Sequence, residues 1–379
     1  MGKTPCLSFG LVSGNVFSMN KNLQSDPSSC APVPPEKRSI INWGIIGCGN
    51  VTEVKSGPGF SKTPGSALAM VMRRDGRLAE DYAKRHGVPR WTTDADALIA
   101  DSGVDAVYVA TPVGSHLEYA LKVCAAGKPC YMEKPMARNT TEAEAMVTAF
   151  RKAGVPLFVA YYRRGLPRFL KVRDLVASGV IGQLTGVSYR CASPAFKRSG
   201  ELPWRLKPAE SGGGLFMDIG CHTLDIIDFI AGPLHAVQGW AANVASDHAV
   251  EDSVAMTFRL ESGGLGTASW NFASDQSEEF IVFSGTAGRI TISTFGQEPV
   301  KLERGKEIDQ FDLPNPTHIQ QPLIETIVNQ LLGKGVCPST GETALRTTRV
   351  MDTVLDAYYG GRADAFWARP ESWPGRRRQ

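Results

Sequence analysis

No apolar run in this 379-residue chain reaches ~18, the length a membrane-crossing helix needs, so no membrane segment is expected. Charge of one sign is scarce too: 41 Lys+Arg stand against 38 Asp+Glu, a net of +3. Apart from Arg376-Arg377-Arg378 there is no basic stripe, which argues against a nucleic-acid partner. None of the eight cysteines pairs as CxxC, and several lie inside apolar runs; they read as reduced, buried thiols of a cytoplasmic protein. The six histidines form neither HxH nor HxxxH, so no metal site is expected. A chain this long needs no such staple, since it can bury about two ordinary domain cores.

Residues 1–39 are rich in Ser, Asn, Pro and Gly and read as a flexible arm. Leu7 to Phe17 is mildly apolar, but Gly10, Ser13 and Gly14 interrupt it, which does not suit a secretory signal. Residues 40–161 alternate short apolar runs with helical stretches: Ile40–Ile46, Ala67–Met72, a weaker run near Trp91, Val104–Ala110, Cys130–Met132 and Pro156–Tyr161. Near-continuously apolar strands separated by helices predict a doubly wound, parallel α/β domain of the Rossmann kind. After Tyr161 the period changes to two. Val254, Met256, Phe258 and Leu260 face one way, and Val187, Tyr189 and Cys191 alternate similarly. Residues 162–361 therefore predict an α+β domain with an open, largely antiparallel sheet, and 362–379 a C-terminal tail.

The first apolar run ends in Gly47-Cys48-Gly49-Asn50-Val51-Thr52. A dinucleotide loop needs glycine where the chain turns sharply and again where backbone approaches the pyrophosphate, whose charge then faces a helix N-terminus. An isolated GxG is as often an ordinary turn, but this one opens the first crossover of a βαβ array. Gly57-Pro58-Gly59 should cut the following helix short. The second run ends in Met72-Arg73-Arg74-Asp75, where an NAD site usually places an acid against the ribose. Arg73 and Arg74 suit a 2′-phosphate, so NADP(H) is expected over NAD(H).

Ligands of an open parallel sheet lie beyond the carboxyl ends of its strands. Thr111-Pro112, His116 and Glu133-Lys134-Pro135 stand at such ends and should line the nicotinamide side. His116 reads equally as helix capping or packing, and Glu133 as a support for Lys134. Tyr161, Tyr162, Arg163 and Arg164 either line the cleft or pin the domain junction. Trp204, with Lys197 and Arg198, lies on an irregular stretch suited to recognising hydroxyls. Beyond Gly212-Gly213-Gly214 a helix should carry Asp218, His222 and Asp225 on one face and Ile219, Ile226 and Ile230 on the buried one. A carboxylate–imidazole stripe on so apolar a helix is unusual, because buried polar groups need partners or a task.

Gly47/Gly49, Glu133-Lys134-Pro135 and the Asp218…His222 segment together resemble the glucose–fructose oxidoreductase / inositol dehydrogenase / rhizopine-catabolism (Gfo/Idh/MocA) family, over about residues 40–361. The resemblance implies a nicotinamide-dependent oxidoreductase of sugars, cyclitols or dihydrodiols, catalytic residues at Lys134, Asp218 and His222, and a homodimer or homotetramer formed through the C-terminal sheet. By residue chemistry His222 is the natural group to exchange the hydroxyl proton and Lys134 to steady the developing alkoxide, the sequence leaving either of the two as the proton carrier, and Asp218 would orient His222 or hold a substrate hydroxyl. Two other uses of the same fold are a dinucleotide-binding regulator without catalysis and an NAD-dependent glycoside hydrolase.

Overall fold

Strand β1 (Ile41–Ile46) is apolar on both faces because parallel neighbours flank it and helices cover it. The computed structural model describes residues 39–197 and 200–376, so the expected arm up to residue 38 and Arg198 lie outside the described residues. The chain continues through α1 (Gly57–Lys62), β2 (Ser66–Met72), α2 (Gly76–His86), β3 (Trp91–Thr92), α3 (Ala95–Ala100), β4 (Ala106–Val109), α4 (His116–Ala125), β5 (Cys130–Met132), α5 (Thr140–Ala153) and β6 (Leu157–Val159). All six strands run parallel in the order β3-β2-β1-β4-β5-β6, which places the ends of β1, β4 and β5 side by side. Helix boundaries follow local chemistry. Asp75 caps α2 by accepting from the N–H groups of Arg77 and Leu78, and Gly87, at φ 65°, ends it.

The tripeptide Gly57-Pro58-Gly59 does not end the first helix, contrary to expectation. A π-turn at Thr52–Ser56 leads into α1, and Pro58 sits in the first turn of that segment, where its missing N–H costs little. Gly57 is obligatory there, since a Cβ would stand 2.2 Å from Thr52 O and 2.3 Å from the Tyr82 hydroxyl.

The second part runs α6 (Pro167–Ala177), β7 (Leu184–Ala192), α7 (Pro208–Ser211), α8 (Cys221–Ala231), then β8 (His235–Ala242), β9 (Ser253–Arg259), β10 (Leu265–Asn271), β11 (Glu278–Gly285), β12 (Arg289–Ile292), β13 (Val300–Arg304) and β14 (Glu307–Phe311). Its sheet order is β14-β13-β12-β11-β7-β10-β9-β8, antiparallel except for the parallel pair β7–β10. The alternating residues Val187, Tyr189, Val254, Met256 and Phe258 are buried beneath helices, while Trp240 and Leu265 remain exposed. Helices α9 (Gln321–Leu331) and α10 (Gly341–Tyr359) return to the first domain, packing on α1 and α5.

The segment expected to be a tail folds back. Arg362 binds Asp352 at 2.7 Å, and Phe366 and Trp373 are buried with ring centroids 4.6 Å from Tyr359. Scattered aromatics without periodicity carry no pattern from which such packing can be foreseen. Six cysteines, 48, 124, 130, 191, 221 and 337, are free and buried. Among the described residues no helix is long and apolar enough to cross a membrane.

Candidate active site

The loop after β1 is shaped by its two glycines for different reasons. Gly47 has φ 90°, and a Cβ there would come within 2.9 Å of Thr111 Cγ2 and 3.0 Å of Ala110 C, so the turn itself demands glycine. A Cβ on Gly49 would meet nothing in the protein closer than 3.9 Å. Bareness at Gly49 keeps open a space that the chain does not fill. That space belongs to a cavity of about 790 Å³ walled by Gly47, Cys48, Gly49, Arg73, Arg74, Thr111 and Pro112, with Ala209 and Glu210 reaching over from the second domain. The third small residue of such loops is replaced without disruption, because Thr52 turns its hydroxyl inward to Gly49 O at 2.8 Å. The Cys48 thiol is buried, which pushes its pKa up to about 11; it packs and does not react. Asn50 and Val51 begin the helix and are not walls of the cavity.

Arg73 and Arg74 edge the same cavity, and Arg73 is steadied by a 3.2 Å bond to Cys48 O. Asp75 also reaches the rim, but its carboxylate is engaged as the cap of α2. His116 stands elsewhere: it is fully buried, with Nε2 2.9 Å from Thr111 O and Nδ1 3.2 Å from Met136 O. It braces the loop from behind and is not part of the cavity wall, since a ring at the first turn of α4 points back under the strand ends.

Glu133 is likewise occupied. Its Oε1 accepts from the Tyr108 hydroxyl at 2.6 Å and the Gln320 amide at 2.9 Å, and its Oε2 from the Lys134 backbone N–H at 3.1 Å. The Tyr131 hydroxyl in turn donates to Gln320 at 3.0 Å. Glu133 therefore clamps the Lys134 backbone and, through Gln320, ties the strand end to the segment before α9; its carboxylate is not free for a cofactor. The Lys134–Pro135 bond is cis.

From this support the Lys134 ammonium reaches Asp218 Oδ1 at 2.6 Å. The second carboxylate oxygen of Asp218 accepts from Arg205 Nε at 2.6 Å. Burial opposes both charges, yet the pairing outweighs it: Lys134 is held above, and Asp218 below, its ordinary value. Arg205 was not foreseen. It rides over Trp204 at 4.7 Å, so the polar contact made by this turn comes from the residue after the expected one. Trp204 itself is half-buried, and Lys197 is exposed.

The helix expected after the glycine run begins instead as a π-turn, Phe216–Gly220, followed by α8. The wider turn breaks the single polar face. Asp218 turns to Lys134, whereas Asp225 is deep in the junction, paired with Arg164 at 2.8 Å. Ile226 and Ile230 are buried as expected; Ile219 is only partly so, at the edge of a separate hollow. Asp218 does not orient His222, because both its oxygens are taken by cations.

His222 is buried beside Tyr161 (6.2 Å between centroids), Tyr162 (5.6 Å) and Phe295 (6.0 Å), each edge-on. Its Nδ1 has no hydrogen-bond partner among the described residues. Burial, reinforced by Arg163, Lys134 and Lys55, drives the imidazole well below its usual pKa, so His222 is neutral at pH 7. Arg164 does pin the junction, bonding Asp225, Asp228 and Pro338 O, whereas Arg163 makes one hydrogen bond among the described residues, to Thr294 O at 2.8 Å.

A parallel α/β domain with a glycine-lined cavity at its strand ends, over which a second domain reaches with Ala209 and Glu210, defines a nicotinamide-dinucleotide-dependent dehydrogenase or reductase. Comparison with known proteins agrees. Residues 41–161 match the oxidoreductase family with an NAD-binding Rossmann fold, and residues 169–291 match the GFO/IDH/MocA C-terminal domain. Oxidoreductase P35 of Formosa agariphila is 38% identical over 83% of this chain and 98% of its own. The 1,5-anhydro-D-fructose reductase of Ensifer adhaerens is 28% identical over 85% and 97%. The crystal structure of an aldose-aldose oxidoreductase from Caulobacter crescentus complexed with glycerol superposes with a TM-score of 0.74 at 25% identity, covering 83% of this chain and 96% of that one. This protein belongs to the Gfo/Idh/MocA family of oxidoreductases.

Proposed function

We propose that this protein is an NADP(H)-preferring oxidoreductase of a sugar, cyclitol or related polyol or carbonyl compound, in which Lys134 and His222 handle the oxygen and the proton. The observation that carries this reading is the ion pair of Lys134, from the end of β5, with Asp218 of the second domain, four residues before the buried His222 whose pKa the Lys134 charge helps to lower. The cavity's open space at Gly49 fits a pyrophosphate, and Arg73 and Arg74 at its rim fit a 2′-phosphate. Two similar proteins are named for sugar chemistry, the anhydrofructose reductase and the aldose-aldose oxidoreductase.

A nicotinamide dinucleotide, when bound, supplies the hydride acceptor or donor. The chain does the rest. Neutral His222, whose Nδ1 has no hydrogen-bond partner among the described residues, can take the proton from a substrate hydroxyl, or return one during reduction if it is first protonated. Lys134 remains an ammonium and stabilises negative charge on the reacting oxygen. Asp218 holds that ammonium in place, and Glu133 fixes the backbone beneath it. Trp240 and Leu265, exposed on the open face of the second sheet, support self-association there, and the buried thiols suit the cytoplasm.

A panel of sugars, inositols and dicarbonyl compounds, followed by nicotinamide absorbance with both NAD(H) and NADP(H), tests the reading. Turnover with polyols or their carbonyl forms is expected; silence across the panel with both nucleotides overturns it.

A further inference from the structure

Neighbouring arginines in the chain have opposite fates. Arg164 is saturated: its guanidinium meets Asp225, Asp228 and the Pro338 carbonyl. Arg163 is 6% exposed, yet among the described residues no carboxylate lies within salt-bridge distance of it, and its Nη1 has no hydrogen-bond partner. A buried guanidinium without a counter-charge is costly and calls for an anion from elsewhere. The side chain is nonetheless held in one position. Its Nε donates to Thr294 O, and its plane is packed between Tyr162 at 4.9 Å and Phe295 at 4.6 Å.

Those same two rings flank His222. The fixed, unmatched guanidinium therefore sits beside the imidazole that faces the substrate, and Lys134 and Lys55 add positive charge to the same spot. The nearby carboxylates do not pair with it. Asp218 is shared by Lys134 and Arg205, Asp225 belongs to Arg164, and Glu279, which accepts from the Ser293 hydroxyl and the Thr294 N–H, keeps its charge but makes no salt bridge to Arg163. Nδ1 of His222 is likewise buried without a hydrogen-bond partner among the described residues.

We propose that Arg163 is a specificity-determining residue that receives a carboxylate, so that the preferred substrate is a sugar acid (a uronate or aldonate) whose reacting carbinol or carbonyl lies between Lys134 and His222. This rests on the reading above that Lys134 and His222 face the substrate. An Arg–carboxylate contact can be bidentate, which fixes both the position and the orientation of the substrate.

The test compares matched pairs on the full-length protein: D-glucuronate with D-glucose, and D-gluconate with D-glucitol, each with both nucleotides. The acid should exceed its neutral partner in kcat/KM by about tenfold or more, because a charged hydrogen bond is at stake. In Arg163→Met that ratio should collapse to within about threefold of unity, carried mainly by KM of the acid, while Arg163→Lys, which keeps the charge, retains part of it. Neutral partners turning over as well as or better than the acids in the native protein overturn this proposal and leave the polyol reading standing. Silence with every compound and both nucleotides overturns both. If Arg163→Met does not fold, the native ratios and Arg163→Lys still decide.

Discussion

Lys134 Nζ stands 2.6 Å from Asp218 Oδ1 although 84 residues of chain separate them. One group comes from a strand end of the first domain and the other from a π-turn of the second, so the pair forms only when both domains are in place. The ion pair is thus both a joint between the domains and the part of the site that keeps an ammonium charged in a mostly buried position.

If Lys134 steadies charge on the reacting oxygen as proposed, Lys134→Met should lower kcat by about 100- to 1,000-fold. Nucleotide affinity should change little, because Lys134 is not a wall of the glycine-lined cavity. Steady-state kinetics beside a nucleotide fluorescence titration separates the two; parallel losses would assign the lysine to cofactor binding.

His222 has a pKa well below 6.5 in the folded protein, chiefly through burial, and near ~6.5 when unfolded. Between those values the unfolded chain binds a proton that the folded one refuses, so stability falls as the pH drops below ~6.5. Each such group contributes up to about 1.4 kcal/mol per pH unit, and the buried, likewise depressed His116 and His248 add to it. Denaturant titrations should show His222→Phe to be less acid-sensitive than the native protein. In the oxidation direction the acid limb of kcat/KM should lie below pH 6.5. An inflection above 6.5 would mean that the base is not this imidazole.

Two alanine substitutions should part company. Gly47→Ala forces a Cβ into positive φ and against Thr111 and Ala110, and should cost about 1–3 kcal/mol, read from a urea midpoint. Gly49→Ala meets no protein atom closer than 3.9 Å and should unfold within about 1 kcal/mol of the native protein. It should weaken nucleotide binding by about tenfold or more if the pyrophosphate passes over that backbone. Unchanged affinity would place the phosphates elsewhere.

NADPH should bind about 10–100-fold more tightly than NADH, the worth of a charged hydrogen bond to the 2′-phosphate. Arg73→Ala should erase most of that difference with little effect on NADH. Tighter NADH binding by the native protein would mean that Arg73 and Arg74 serve the cavity rim without reading the phosphate.

The order of strands and helices, the glycine turn and the change from parallel to largely antiparallel sheet were legible in the chain because each is written at short range. Apolar runs, caps and glycines act within a few residues of themselves, as at Asp75 and Gly87 around α2. Lys134, Asp218 and His222 could be singled out for their residue types and their place at element ends, yet their partners could not. Arg205 on Asp218, Gln320 on Glu133 across 187 residues, Arg362 on Asp352 and Trp373 on Tyr359 are side-chain choices made only after the backbones that carry them meet. The π-turn at Phe216–Gly220 decided which way Asp218 and Asp225 point, and a one-residue widening of a helix leaves no mark on hydrophobic spacing. Local free energies of a few tenths of a kcal/mol select the elements; where a carboxylate finds its cation is set by burial and proximity, which exist only in the folded whole.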